Sequence, residues 1–320
     1  MNVVLLAGGV GGAKMAEGIA AVVDRDLTVI VNTGDDLELH GLAVWPDHDT
    51  VAYTLAGLDD EIRGWGVRGE RWTVMDRLEE LGEREWFRLG DKDLATHIWR
   101  TDRLRAGARP TEVALEFAAA LGIEPRILPM ADEPVRTEVR SDDGWLEFQE
   151  YFVHRRQEPT VHEVRFRGAA SAHATPEVVA AIAHASVIVV APSNPIVSID
   201  PILAVPGIRP ALEEGRARGI PTVAVSGIVG GKALKGPADR MLASLGEEVN
   251  ALGVARRFAR LISHFVLDRV DAELEPAIRE LGVQTLVEDT IMTGDRSRAR
   301  FAEAVLRFAT SPADAQRTPR

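Results

Sequence analysis

MNVVLLAGGVGGAK, residues 1–14, contains a short apolar run, a cluster of glycines and the start of a helical pattern, in that order. The apolar run at 3–6 predicts a buried strand, and the pattern that begins at Ala13 predicts a helix. Glycines let the backbone approach a phosphate, and a helix N-terminus offers unpaired N–H groups with partial positive charge. The stretch therefore predicts a strand, a phosphate-binding turn and a helix. The alternative is a tight strand-to-helix turn without a ligand.

This glycine loop departs from two common nucleotide-binding motifs. Ala13 stands where a Walker A loop has the glycine before its lysine, and Met15 replaces the Ser or Thr after it. In a dinucleotide fingerprint that begins at Gly9, the third glycine would fall on Lys14. An NAD-dependent oxidoreductase is therefore less favoured than a protein that handles a nucleotide by its phosphates.

A second polar loop follows the next predicted strand, 27–31, and reads NTGDD over residues 32–36. A third cluster, PDHDT at 46–50, precedes a helical pattern at 51–58. Carboxylates together with phosphate oxygens are the ligands that Mg²⁺ takes, so the four aspartates Asp35, Asp36, Asp47 and Asp49 predict a hard-cation site. Asp36 and Asp49 are the candidates both for the metal ligands and for catalysis, and the sequence does not separate the two roles. In the alternative, Asp49 or Thr50 caps the helix and Asp35 shapes a turn. We expect Asp49 to be a loop residue whose loss leaves the fold intact.

Two further loops follow predicted strands. PSNP at 192–195 comes after the strand at 186–191, and it is either a rigid ligand contact or a stiff connection. The loop after the strand at 221–225 places Lys232 and Lys235 among glycines. Two lysines in such a loop of an acidic protein suggest compensation of phosphate charge, although a solvated loop is the alternative. The charged turn at 91–93 is expected to cap a helix, with His97 packed in that helix.

Composition limits the function classes. The net charge of −12 argues against nucleic acid as a partner, because phosphate backbones need a basic surface. The sequence has no cysteine, which excludes disulfides, thiolate metal sites and cysteine nucleophiles. We find no signal-peptide pattern and no apolar run of the roughly 20 residues that a bilayer requires, and we expect a cytoplasmic protein that does not bind membranes.

The order of predicted elements indicates an α/β fold: a three-layer, Rossmann-like, doubly wound and mostly parallel sheet with a helical insert and a β-ribbon. We expect a single domain over 1–320. Its nucleotide-binding core is 1–58 and 169–309, with helical patterns at 59–135, an antiparallel ribbon at 136–168 and a tail at 310–320.

Eight motifs, taken together, resemble the 2-phospho-L-lactate transferase family (CofD), which assembles the deazaflavin coenzyme F-420. They are GGVGGAK at 8–14, NTGDD at 32–36, HGL to PDHDTV at 40–51, LGDKDLATH at 89–97, LPMAD at 128–132, FQEYFV at 148–153, PSNP at 192–195 and ALKGPA at 233–238. The resemblance spans roughly residues 1 to 290, and eight motifs in family order are more specific than any one of them.

The resemblance implies an activity. The ribityl hydroxyl of 8-hydroxy-5-deazariboflavin (Fo) attacks the phosphorus next to a three-carbon acid in a guanosine diphosphate ester, and GMP departs in a reaction that needs Mg²⁺. It also implies that Asp49, Arg88 and Thr33 contact Fo. The residues implied to hold the donor's guanosine diphosphate portion are Gly9, Gly11, Gly12, Lys14, Asn194, Lys232 and Lys235. Family members form homodimers.

Two points stay open in the sequence. His48 stands where the resemblance leads us to expect an apolar residue, so it is either a solvent-facing substitution or a titratable group beside the metal. The donor acid is phospholactate, phosphoenolpyruvate or phosphoglycerate. The competing hypothesis is a nucleotide-binding regulatory module of similar fold without transferase activity.

Overall fold

A computed structural model describes residues 1–83 and 86–311 of the chain. The helices are α1 (Gly9–Val23), α2 (Pro46–Leu55), α3 (Thr73–Glu80), α4 (Asp91–Arg105), α5 (Pro110–Ala120), α6 (Pro176–Ala183), α7 (Asp200–Ala204), α8 (Ile208–Ala217), α9 (Ala238–Ser244), α10 (Ala251–Phe258), α11 (Glu275–Arg279) and α12 (Asp295–Thr310). The strands are β1 (Val3–Ala7), β2 (Leu27–Val31), β3 (Leu37–Leu39), β4 (Leu42–Val44), β5 (Arg126–Pro129), β6 (Arg136–Ser141), β7 (Gly144–Glu147), β8 (Glu163–Arg167), β9 (Val187–Val190), β10 (Thr222–Val225), β11 (Ile228–Val229), β12 (Lys232–Ala233), β13 (His264–Asp268) and β14 (Gln284–Glu288).

A parallel sheet of seven strands in the order β14-β13-β10-β9-β1-β2-β5 forms the centre of the molecule. Along β1, Val4 and Leu6 belong to one hydrophobic core, while Val3 and Leu5 belong to another on the opposite face. Helices α1, α2 and α12 cover the second face, and α6, α8 and α10 contribute to the first. The predicted three-layer α/β fold is confirmed.

The direction of winding reverses at β1. From β1 the chain runs outward through β2 to β5, whereas β9, on the other side of β1, leads outward through β10 and β13 to β14. The loops that follow β1 and β9 therefore face each other at a topological switch point, where open α/β sheets bind ligands. This places the glycine loop beside PSNP.

The segments outside this sheet differ in part from the expectation. The ribbon is a three-stranded antiparallel sheet, β7-β6-β8, and Asp142 and Asp143 form the turn between β6 and β7. The segment 59–135 holds α3, α4 and α5, but it also ends in β5, which pairs with β2 at the edge of the main sheet. The hairpin of β3 and β4 was not expected. How the chain divides into folding units stays a prediction.

The C-terminal expectation falls partly outside the described residues. The closing helix α12 extends to Thr310, so the predicted tail does not begin there, and residues 312–320 lie outside the described part. No single helix in the described ranges is long and apolar enough to cross a membrane. One pair of helical segments separated by a bend, Pro195–Ala204 and Ile208–Ala217, is together long and apolar enough, judged by length and composition alone.

Candidate active site

A cavity of about 1100 Å³ opens at the carboxyl ends of the central strands. Seven of the predicted site residues line it: Gly9, Gly11, Lys14, Asp49, Arg88, Asn194 and Lys235. The remaining four, Gly12, Thr33, Asp36 and Lys232, lie off its wall. The structure thus brings most of the predicted site together, while the role of each residue stays a prediction.

One side of the cavity, here called the sheet wall, consists of residues 8–11, Asp47 and 192–194. The glycine loop is the first turn of α1 rather than a turn before it, since the helix begins at Gly9. Ser193 fixes the loop from β9: its Oγ accepts from the Gly8 N–H (3.2 Å) and donates to the Gly8 carbonyl (2.7 Å). The Gly9 N–H donates to Asp47 Oδ1 at 2.8 Å. The loop geometry is therefore set by neighbours that are themselves buried.

The glycines of this turn are required by close packing. A Cβ at Gly11 would lie 2.4 Å from the Pro192 carbonyl oxygen, which is a backbone atom. A Cβ at Gly12 would lie 2.9 Å from the Cβ of Ala7. Gly9 has φ +60°, a conformation that favours glycine. The glycine cluster thus serves the contact between α1 and the 192–195 loop. As at any helix start, N–H groups of the first turn lack partners within the helix, and those of Gly8 and Gly9 are bonded to Ser193 and Asp47.

Asp47 is a supporting residue of the sheet wall. Besides Gly9, it accepts a hydrogen bond from Asn32 Nδ2 at 2.9 Å. Burial raises the pKa of Asp47 to about 6, against the lowering effect of these two hydrogen bonds. Asp35 lines the cavity nearby, and burial together with the Asp47 carboxylate raises its pKa well above the ordinary value. Two acids thus share this buried corner and favour protonation.

Asp49, Asp93 and His97 line the cavity together and are here called its floor. Asp49 is not the loop residue that was expected. Helix α2 begins at Pro46, so Asp49 is in its first turn, and it is 4% exposed. Its Oδ1 forms an ion pair with Arg100 of α4 and lies 3.2 Å from His48 Nδ1. Burial opposes ionisation, but the Arg100 guanidinium and the two neighbouring imidazoles outweigh it and hold the pKa of Asp49 below its ordinary value. The expectation that this residue carries little packing is wrong.

His48 is buried as well, which excludes the solvent-facing interpretation. Its ring packs against Trp45 and Phe117 at centroid distances of 5.5 and 6.0 Å. Burial lowers the pKa of His48, although Asp49 acts in the opposite direction. His48 is therefore a buried neighbour of Asp49 that contacts its Oδ1.

Asp49, Asp93 and His97 form a buried group whose ligand atoms lie within 4.8 Å of one another, close enough to hold a metal ion. Asp93 and His97 face Asp49 from α4, and Asp93 Oδ1 accepts from the Tyr53 hydroxyl at 2.7 Å. Asp49 Oδ2 is buried with no hydrogen-bond partner among the described residues, which leaves this oxygen available to a ligand. The donor set thus fits a cation. Asp36 is not a member of this group.

Asp36 and Thr33 are buried and are not among the residues that line the cavity. Each has a buried side-chain oxygen that lacks a hydrogen-bond partner within the described ranges. Burial raises the pKa of Asp36 well above its ordinary value, and Asp49 and Asp47 act in the same direction. Neither side chain contacts the cavity directly, so a direct contact with a substrate stays a prediction.

Positive charge collects at one end of the sheet wall. Lys14 donates to the Met292 carbonyl at 3.2 Å, and burial, with Arg298 and Lys235 nearby, lowers its pKa. Lys14, Lys235 and Arg298 also line a smaller adjoining cavity of about 140 Å³. Arg298 of α12 pairs with Glu61, which places an acid beside these cations. Lys232 lies on the β11–β12 hairpin, away from this cluster.

The opposite side, here called the insert wall, consists of residues 63–66 and 86–89. Arg88 forms an ion pair with Asp76, and its guanidinium lies 5.4 Å from the ring of Trp72. The guanidinium of Arg63 lies 4.9 Å from the centroid of the same Trp72 ring, and Arg63 forms an ion pair with Asp60 at 3.1 Å. Next to this wall the connection between β7 and β8 contributes the stacked rings of Phe148 and Phe152. This side offers flat apolar surfaces flanked by guanidinium groups, which suits a planar ring.

Asn194 has a structural task at the switch point. Its Oδ1 accepts from the N–H groups of Ile196 and Val197 at 3.0 and 3.4 Å and so caps the helical turn Pro195–Ile199. Its side chain also lines the cavity. The loop is therefore both the stiff connection and a wall of the cavity.

Sequence reasoning missed Asp93, Arg100, Ser193 and Arg298, and it treated His97 as a packed residue. Asp93 and His97 lie one turn apart on α4, a spacing that places two side chains on one face. That spacing was the available signal. The ion pairs of Arg100 with Asp49 and of Arg298 with Glu61 gave no such signal, because the two residues of each pair are 51 and 237 residues apart along the chain.

Comparison with known proteins agrees with this geometry. The family model described as 2-phospho-L-lactate transferase CofD matches residues 3–295. A phosphoenolpyruvate transferase from Streptomyces griseus is 42% identical, covering 97% of this chain and 98% of the relative. A 2-phospho-L-lactate transferase from Methanosarcina mazei is 36% identical, covering 95% and 99%. Among solved structures, a member of the UPF0052 family from Bacillus halodurans has a TM-score of 0.61 at 16% identity, covering 95% of this chain and 98% of that one, which shows the shared fold.

The match over nearly the whole chain, with relatives of the same length, confirms the resemblance found in the sequence. The chain belongs to the CofD family of 2-phospho-L-lactate and phosphoenolpyruvate transferases.

Proposed function

We propose that this protein transfers a phosphorylated three-carbon acid from its guanosine diphosphate ester to Fo in the biosynthesis of coenzyme F-420. The terminal ribityl hydroxyl oxygen forms a bond to the phosphorus next to the acid. The bond from that phosphorus to the oxygen of GMP breaks, and the hydroxyl proton is released. The product is a phosphodiester, and GMP is the leaving group.

The observation that carries this proposal is the pairing of two unlike walls in one cavity. At about 1100 Å³ the cavity is at the upper end of the range for single ligands, so two substrates have room to meet. The sheet wall offers N–H groups and cations, and the insert wall offers aromatic rings and Arg88. Asp49 lies on the floor, which both walls border.

The donor is assigned to the sheet wall. Helix N-termini bind phosphate through unpaired N–H groups, and Lys14 and Lys235 add charge compensation in an acidic chain. The higher identity to the phosphoenolpyruvate transferase, 42% against 36%, favours the enolpyruvyl ester as the donor. Gly12 and Lys232 contribute through their neighbours rather than from the cavity wall.

The acceptor is assigned to the insert wall. Arg88 hydrogen-bonds the deazaflavin ring, and the aromatic residues next to it cover the ring's face. This orientation brings the ribityl chain toward Asp49. Thr33, which does not line the cavity, contributes to this end only through its neighbours.

Mg²⁺ is proposed at the floor, held by the carboxylates of Asp49 and Asp93, with Asp36 as a further candidate ligand. Bound there, Mg²⁺ would neutralise negative charge on the transferred phosphate. The protein is further proposed to act as a homodimer in the cytoplasm, with neither nucleic acid nor membrane as a partner. Sedimentation at several protein concentrations tests the dimer.

The direct test is incubation of the purified protein with Fo, Mg²⁺ and each of the three guanylylated acids, with GMP and product followed by mass. We expect product from at least the enolpyruvyl donor, in equal amount to GMP. A parallel incubation without Fo measures hydrolysis of the donor. Tight binding of guanosine diphosphate without turnover of any donor would favour the regulatory module instead. Turnover of NAD would favour the oxidoreductase.

A further inference from the structure

Arg100 is a buried residue that contacts two groups of the cavity floor at once. It is 1% exposed, and its guanidinium lies 4.4 Å from the ring of Trp45. One nitrogen, Nη2, forms the ion pair with Asp49 Oδ1. The other, Nη1, lies 3.2 Å from the Ala43 carbonyl oxygen and 3.1 Å from His97 Nδ1. A planar guanidinium held in this way has little freedom to turn.

This contact decides which tautomer the neutral His97 ring adopts. A guanidinium has five N–H donors and no acceptor, so the nitrogen it faces has to be the acceptor. In neutral His97 the proton therefore lies on Nε2. That nitrogen is 3.4 Å from Asp93 Oδ1 and has no hydrogen-bond partner in the described part of the chain.

The same guanidinium decides which oxygen of Asp49 is available. Oδ1 is engaged by Arg100 and by His48, whereas Oδ2 is buried without a described hydrogen-bond partner. Oδ2 lies 3.7 Å from His97 Nδ1, so the two side chains are adjacent, and both line the cavity.

We propose that Arg100 is a positioning residue that presents Asp49 Oδ2 as an acceptor and His97 Nε2–H as a donor to a substrate hydroxyl. A hydroxyl is both a donor and an acceptor, so this pair complements it. The proposal rests on the proposed function for the identity of that hydroxyl, the attacking group of Fo. It also removes His97 from the metal ligands, because Nδ1 accepts from Arg100 and Nε2 carries a proton. Any metal then binds to carboxylate oxygens, which are the ligands that Mg²⁺ prefers.

The first test does not depend on any substrate. Histidine ¹⁵N NMR at pH 8, above the ordinary imidazole pKa of about 6.5, distinguishes the two neutral tautomers. The signal of His97 among the eight histidines is assigned by its loss in His97→Gln. We expect the proton on Nε2. A proton on Nδ1 would overturn the proposal.

The second test separates the donor role from the ligand role. The amide nitrogen of Gln can donate from a position near Nε2, whereas Asn is too short and reaches only the Nδ1 position. We expect His97→Gln to keep kcat/KM for Fo within about 10-fold, and His97→Asn to lose about 10- to 100-fold, the scale of a hydrogen bond in the reacting state. His184→Gln, at the exposed end of α6, is the matched control. Equal loss in both His97 variants would contradict the donor role.

Binding of Mn²⁺, measured by calorimetry, completes the test. His97→Gln should bind Mn²⁺ with the same affinity as the wild type, and a loss of affinity of 10-fold or more would make His97 a ligand.

Arg100→Lys keeps a cation beside Asp49 but has a single donor nitrogen, so we expect the His97 tautomer to become mixed in this variant. If Arg100→Lys does not fold, the kinetics of the His97 variants and the ¹⁵N spectrum of the wild type still test whether Nε2–H of His97 is the donor. A protein that turns over no donor but has the Nε2–H tautomer would refute the proposed function and leave the role of Arg100 intact.

Discussion

The two walls of the cavity are stabilised by different kinds of interaction. The sheet wall is joined to the core by buried hydrogen bonds between Ser193 and Gly8 and by a part-buried one from Gly9 to Asp47. The insert wall depends on ion pairs at the surface, such as Arg88 with Asp76, and on cation–π contacts to Trp72. Buried hydrogen bonds are costly to break, whereas exposed ion pairs contribute little to stability.

This difference has a functional meaning. The sheet wall has its geometry before any substrate arrives, which suits the binding of a compact, highly charged phosphate. Because the insert wall depends on exposed ion pairs, we expect it to open locally at a smaller cost in free energy, which would suit the entry of the proposed planar acceptor. We therefore expect changes in the sheet wall to affect both folding and donor binding, and changes in the insert wall to affect mainly the acceptor.

The largest effect is expected at the floor that both walls border. Asp49→Asn removes the charge that faces the reacting groups and should lower turnover by about 10²-fold or more. Because it also leaves Arg100 buried without its counter-charge, we expect the free energy of unfolding to fall by about 3 kcal/mol. Steady-state kinetics over a range of Mg²⁺ and urea denaturation measure the two effects.

The control for Asp49→Asn is Asp132→Asn. Asp132 accepts hydrogen bonds from the N–H and hydroxyl of Thr111 and is not among the residues that line the cavity. It should lose stability while keeping turnover. An Asp49→Asn protein that remains folded with turnover near that of the wild type would remove Asp49 from the chemistry.

The next largest effect is expected in the sheet wall. In Gly11→Ala the new Cβ would meet the Pro192 carbonyl oxygen at 2.4 Å, so the helix start or the 192–195 loop has to move. Both the melting temperature and the affinity for guanosine diphosphate should fall. Gly294→Ala is the matched control, since its Cβ would meet no heavy atom within 4 Å among the described residues and its backbone is extended. Calorimetry measures the affinity and thermal unfolding measures the melting temperature. Equal values for the two variants would contradict the idea that the sheet wall is formed before the donor binds.

In the insert wall we expect a selective effect. Arg88→Ala should raise KM for Fo by about 10-fold, the scale of a hydrogen bond from a charged group, and leave the affinity for guanosine diphosphate unchanged. Arg77→Ala removes another arginine of the same region, which pairs with Glu80 at 2.5 Å and lies off the cavity wall. It should alter neither quantity. Weaker donor binding with an unchanged KM for Fo would mean that the walls are assigned the wrong way round.

The smallest effect is expected from Glu61→Gln, which weakens the ion pair between the segment leading to the insert wall and Arg298 of α12. The hydrogen bond from Arg298 lowers the pKa of Glu61. A carboxyl with a lowered pKa stabilises the fold above its ordinary pKa, and that contribution disappears as the pH falls through the lowered value.

At pH 7 the variant should therefore melt slightly below the wild type, by less than about 2 °C, and the two curves should converge in acid. Thermal unfolding across this pH range measures the difference, with Glu80→Gln as a control on a surface pair within α3. A difference that grows as the pH falls would contradict the assigned sign.

The sequence predicted these parallel strands well because each is a short and mostly apolar run. The runs at 3–6, 27–31 and 186–191 correspond to β1, β2 and β9, which are covered on both faces by helices. It failed at β5, where a four-residue strand that ends in proline follows three helices and has little pattern of its own. The start of α2 was placed too late, although proline at its first position is a known signal.

The sequence by itself determined the class of fold, the glycine turn, the set of polar loops and, through eight motifs in order, the family. The glycine turn and the polar loops are local features, and the fold class and the family follow from the order of elements and motifs along the sequence. Only the tertiary structure decided that Ser193 and Asp47 hold the glycine turn and that Asp49, Asp93 and His97 meet at one floor. It also decided that Arg100 fixes two of these three residues. Such contacts join helices and strands that are distant along the chain, and they form because the parallel sheet brings the carboxyl ends of its strands, and the helices that follow, to one edge.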